Sequence, residues 1–104
     1  MTEIIKDNVK VSLHTDTNEG WNGDYNPDDP DDDLLYRFDV DVLINNVWEP
    51  VDDASYCTAL KASSVYTDKA LSYLMSEIYP AINSGASIKK LCERLSWISD
   101  STFT

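Results

Sequence analysis

Between Tyr36 and Ile44 the chain alternates strictly, with Tyr36, Phe38, Val40, Val42 and Ile44 on one side and Arg37, Asp39, Asp41 and Leu43 on the other. Successive side chains of a strand point to opposite faces, so this period of two predicts a strand with one apolar face to bury and one charged face turned to water. Such a strand needs antiparallel partners and a second layer over its apolar side. Those two demands organise the rest of the chain.

One partner follows at once. Asn45-Asn46 marks a hairpin turn, because asparagine tolerates positive φ better than other non-glycine residues. A two-residue loop sets Val42 beside Glu49 and Phe38 beside Asp53. A three-residue loop pairs Ile44 with Trp48, Phe38 with Ala54 and Tyr36 with Tyr56, and is expected because it keeps apolar residues together. In that register Glu49, Val51 and Asp53 join Asp39 and Asp41 on the outer face, while Tyr56, Thr58 and Leu60 continue the inner one. Pro50 suits an edge or a bulge. An earlier strand is marked by Val9, Val11 and Leu13 alternating with Lys10, Ser12 and His14. From Thr15 to Asp33 a connection rich in Asn, Gly, Pro and Asp reads as a long acidic loop, of the length usually reserved for function.

The second layer comes from the last third, where the period changes. Leu71, Leu74, Met75, Ile78 and Ile82 are spaced as one face of a helix opened by Thr67 and Asp68 and closed by Asn83-Ser84-Gly85. Pro80 removes a backbone donor within that span and predicts a kink or break near Ser76 to Tyr79. A second helix is expected from Ser87, burying Ile88, Leu91, Cys92, Leu95 and Ile98, with Lys89, Lys90 and Arg94 outward. The predicted fold is α+β: a small antiparallel β-sheet of three or more strands followed by two C-terminal helices packed on one face. At 104 residues and 42% hydrophobic, residues 1–104 suffice for a single domain with its own core.

Charge narrows the function. The net charge is −11, and it is segregated. Asp16, Glu19, Asp24, Asp28, Asp29, Asp31, Asp32, Asp33, Asp39, Asp41, Glu49, Asp52 and Asp53 share their window with Arg37 alone, giving −12, and the remainder carries +1. A block of one sign on a small domain creates a local field that selects basic partners and disfavours direct contact with nucleic acid. Carboxylates on i and i+2 of a strand lie roughly 6.6 Å apart, so Asp39 and Asp41 with Asp24, Asp28, Asp29, Asp31, Asp32, Asp33, Glu49, Asp52 and Asp53 can stand in for a row of backbone phosphates. The expected partner is a protein with a basic surface, a nuclease or other nucleic-acid-binding complex; Tyr36, Trp48, Trp21 and Tyr25 would supply aromatic anchors. The alternatives are a solvated acidic surface with no specific partner and a calcium loop. Asp24, Asn26 and Asp28 have the alternating spacing of calcium ligands, but Asp29 and Leu35 stand where an EF-hand places its glycine and bidentate glutamate.

In size, in the acidic block from Asp16 to Asp53 and in its sheet-then-helices order, the chain resembles the small acidic inhibitors encoded by phages and mobile elements, the anti-CRISPR and DNA-mimic class. The resemblance implies inhibition by occupying the nucleic-acid site of a target, and it carries no residue over. The stretch INSGASIKKLCERL, residues 82–95, is similar to the first two helices of phage-type helix-turn-helix domains. The nine residues after Leu95 are too few for the recognition helix such a domain needs.

No enzyme is expected. Paired carboxylates such as Asp39 and Asp41 can serve as acid and base only in a cleft that shifts their pKa values, His14 is the single histidine, and no cofactor motif is present. Cys57 and Cys92 do not have metal or disulfide-framework spacing, and two buried, reduced thiols are expected. No apolar run approaches the roughly 20 residues that cross a bilayer, and MTEIIKDNVK lacks a signal-peptide pattern. The expected setting is the cytoplasm.

Overall fold

The computed structural model of the chain describes residues 3–20, 28 and 34–104, with the side chains of 16–20 and 52–54 outside that description. Four strands form one antiparallel sheet in chain order, β1 (Glu3–Lys6), β2 (Val9–Gly20), β3 (Leu34–Ile44) and β4 (Val47–Lys61). Two helices follow, α1 (Thr67–Asn83) and α2 (Lys89–Leu95), and then a short 3-10 turn at Asp100–Thr102. Both helices pack on the sheet, α1 over β1 and β2 and α2 against β4. This is the predicted α+β arrangement.

The core is the predicted apolar face. Val9, Val11, Leu13, Phe38, Val40 and Leu60 from the sheet meet Ala70, Leu71, Leu74, Met75 and Ile78 of α1, with Ile88, Cys92, Leu95 and Ile98 beyond them, all buried. Phe38 stacks on Tyr56 at 5.3 Å between ring centroids, an arrangement worth about 0.5–1.5 kcal/mol beyond the area it buries. Thr58 is the one polar residue fully inside among those described. Its hydroxyl donates to the Tyr36 carbonyl at 2.8 Å and accepts from the Leu60 amide at 3.0 Å, so the burial leaves no unmet group.

Two sheet features depart from expectation. The first is an extra strand. EIIK pairs with β2 through Ile4↔Val11 and Ile5↔Lys10, joined by a turn in which Asp7 has φ +52°. Four residues are too short to show alternation. Second, the β3–β4 loop has two residues, not three: Asn45 and Asn46 take φ of +51° and +64°, the mark of a type I′ turn, and Ile44 faces Val47, Leu43 faces Trp48 and Val42 faces Glu49. The clash that argued against this register, an acidic residue beside Phe38, is avoided by a bulge. Asp41 faces Pro50 whereas Asp39 faces Ser55, so β4 spends five residues where β3 spends two, and Phe38 reaches Tyr56. Pro50 sits at the start of that irregularity, on an edge strand.

α1 runs unbroken through Pro80. Ser76, whose carbonyl loses its donor to the proline, is exposed, as is Pro80, so water can satisfy that group in place of a break. The helix ends in a Schellman motif: Gly85 at φ +78° donates to Ile82 and Ala86 donates to Ala81. Tyr79 on α1 donates its hydroxyl to Asp7 and lies under the Lys6 ammonium, tying the helix to the β1–β2 turn. The Asp7 carboxylate raises the Tyr79 pKa by holding the phenol proton. α2 is shorter than expected. Ile98 is buried from the segment after it, and the Ala59 amide donates to the Ile98 carbonyl at 3.0 Å, which covers part of the open edge of β4. Phe103 then packs edge-on against Tyr73 and tilted against Tyr66.

Candidate partner-binding face

The sheet face away from the helices is built from residues that alternate with the core. Cross-strand rows follow from the register: Lys10–Asp41–Pro50, Ser12–Asp39–Ser55 and His14–Arg37–Cys57. Asp39 and Asp41 therefore point outward side by side, as predicted, and both are half-covered.

They are not alone there. His14 Nδ1 lies 3.2 Å from Asp39 Oδ2, and Lys10 stands beside Asp41 with its ammonium 4.8 Å from the centre of the Trp48 ring. Arg37 donates from Nε to the Ser55 hydroxyl and from Nη2 to the Ser55 carbonyl, both at 3.0 Å, holding β4 where its bulge ends. The described middle of the face thus carries two carboxylates against Lys10 and Arg37, and formal charge there balances.

Of the other predicted partner-binding residues, Glu49 faces Val42 and so lies on the helix side of the sheet, exposed near the hairpin tip. The two-residue turn moves it there. Asp28 is exposed. Asp24, Asp29, Asp31, Asp32 and Asp33 lie outside the described residues, as do the side chains of Asp52 and Asp53, the weak metal candidates Asp24 and Asn26, and the aromatic anchors Trp21 and Tyr25. Of the remaining anchors, Trp48 stands on the outer face and Tyr36 on the inner. The expected loop from Thr15 is shorter than predicted, because β2 continues to Gly20, which pairs with Leu34 of β3. Both ends of the acidic connection are thereby fixed at one point on the sheet.

A feature the sequence reading passed over lies beside that point. Trp97 is 83% exposed and borders a groove of about 300 Å³ with Leu35, Cys57, Thr58, Ala59 and Ser96. A second hollow of about 200 Å³ adjoins it, lined by Ala59, Lys61, Ser99, Asp100 and Ser101. Cys57 is half-buried there, not buried as expected, whereas Cys92 is in the core. The signal in the sequence was Trp97 itself, which breaks the apolar spacing of the second helix and falls between Leu95 and Ile98.

After α2 the chain turns onto the edge of β4 and then forms the 3-10 turn. Among the described residues no helix is long and apolar enough to cross a membrane. No protein-family model, curated protein or solved structure matches the chain.

Proposed function

We propose that this protein is an acidic, protein-binding inhibitor that occupies the basic nucleic-acid-binding surface of a target, in the manner of a DNA mimic, and works in the cytoplasm. The observation that carries this is the segregation of charge: residues 16–53 hold −12 while the rest of the chain holds +1. Two further points support it. The acidic connection leaves the sheet at Gly20 and rejoins it at Leu34, and these two residues pair with each other. Asp39 and Asp41 project from the adjoining face at strand spacing. The middle of that face is charge-balanced between Asp39, Asp41, Lys10 and Arg37, so the net negative charge of the window comes from its other carboxylates. Exposed charges of this kind attract lysines and arginines over about one Debye length, 8–10 Å at physiological ionic strength.

The test separates the two parts. A variant with Asp28, Asp29, Asp31, Asp32 and Asp33 changed to Asn, another with Asp39 and Asp41 changed to Asn, and the unaltered chain are used to capture proteins from lysate. The expected result is a nucleic-acid-binding protein retained by the unaltered chain, displaced by duplex DNA and by salt, lost from the first variant and weakened in the second. Retention that ignores both salt and DNA would sink the proposal.

A further inference from the structure

We infer that the outer edge of β1 is a docking edge for a second copy of this chain, the two EIIK strands pairing antiparallel about a two-fold axis so that both sheets join into one. The hairpin fixes which groups are open. Lys6↔Val9 closes the two-residue β1–β2 turn, and the pair that closes such a turn is hydrogen-bonded. Bonding alternates along the strand, so Ile4 also bonds to β2, while the N–H and C=O of Glu3 and Ile5 point away from it. The Asn8 carbonyl keeps the same phase, turning the other way to accept from the Leu43 amide of β3. The two edges of the sheet differ. On β4 the open side holds Pro50, which has no N–H, then the bulge, then the Ile98 segment that takes up the Ala59 amide. Those are devices by which sheets refuse a further strand. β1 contains no proline and pairs without a bulge, and its one lysine is drawn back, the Lys6 ammonium lying 4.4 Å from the centre of the Tyr79 ring on its own α1. Ile5 is left 52% exposed.

Such an edge takes an extended strand, and charge and register select a second β1. The chain carries −11, yet from Glu3 to Lys10 the acids Glu3 and Asp7 are cancelled by Lys6 and Lys10. Two copies that meet here meet at a neutral hairpin, where like-charge repulsion is least. Opposed residues of antiparallel strands share a face, so a two-fold pairing sets Ile4 against Ile4, Ile5 against Ile5 or Glu3 against Glu3. The last opposes like charges, and the second sets Glu3 against the Asp7 turn. The first has neither fault. In it Glu3 of each copy exchanges both backbone bonds with Ile5 of the other, so every open group of the two strands is met. Ile4, already packed against the core of its own copy, then meets Ile4 of the second copy on the helix side.

Sedimentation equilibrium of the full chain, taken up to about 1 mM to suit a small edge contact, is expected to show a mass rising with concentration toward that of a dimer. Salt should strengthen this association by screening the copies' like charge, the opposite of its effect on a basic partner. Ile5→Pro removes an open-side N–H and no bond to β2, so it should keep the fold, verified by far-UV circular dichroism, and weaken association about tenfold or more. A cross-link tests the register. With Cys57→Ser removing the half-buried native thiol, Ile4→Cys faces its own copy at the roughly 4.5 Å Cα separation of a non-bonded pair, within disulfide reach, whereas Ile5→Cys faces Glu3. Oxidised glutathione should therefore link Ile4→Cys into dimers faster than Ile5→Cys. A monomer at every concentration, association unchanged by Ile5→Pro, or equal cross-linking of the two cysteine variants would overturn the inference, and none of these results bears on the acidic surface.

Discussion

On the helix-facing side of β3, Phe38 and Val40 are fully buried and fixed by what packs on them, whereas on the opposite side Arg37, Asp39 and Asp41 are half-covered and held by pairing across the sheet. The two sets are only one residue apart along the chain. Their energies are nonetheless of different size, because burying an aromatic ring is worth several kcal/mol and an exposed ion pair is worth 1 kcal/mol or less. One strand therefore carries a face that cannot change without loss of the fold and a face that can change almost freely.

The contrast can be tested from its strong side downward. Phe38→Ala should have the largest effect, destabilising the chain by about 3–5 kcal/mol in urea unfolding, since it empties the centre of the core and removes the stack on Tyr56. Thr58→Val keeps the shape but strips the Tyr36 carbonyl and the Leu60 amide of a buried partner; a loss of about 1–3 kcal/mol is expected, and no loss would mean that the inner face tolerates polar change as the outer one does. Asp39→Asn, diagonal to His14 on the outer face, should shift stability by less than about 0.5 kcal/mol. A shift as large as that of Thr58→Val would erase the distinction between the faces.

The same division explains which parts of the structure were legible in the sequence. Val9, Val11, Leu13, Phe38, Val40, Leu71, Leu74 and Ile78 declare themselves by spacing, because burial imposes a period, and all are in the core. Glu49 does not. Its face depended on the length of the Asn45-Asn46 turn, and matching apolar partners pointed to the longer loop because the bulge beyond Pro50, which restores the match by inserting residues, leaves no pattern of its own. β1 was missed since EIIK puts just two isoleucines on opposite faces. At the candidate site, Asp39 and Asp41 were legible as an outward pair, but Lys10 and His14 beside them were not, since cross-strand neighbours are set by register and not by nearness in sequence. Trp97 was hidden for a similar reason: the groove exists only because the segment after α2 returns to β4.

That return has a consequence for how the protein is made. The donor on Ala59 finds its acceptor on Ile98, nearly forty residues later in synthesis. Until the ribosome has released that segment, β4 presents unpaired backbone groups on a nascent chain whose sheet is otherwise ready to form, and neighbouring nascent chains on a polysome offer the same edge. The carboxylates of residues 16–33 have emerged by then, and their mutual repulsion would keep those unfinished copies apart while each waits for its own segment around Ile98.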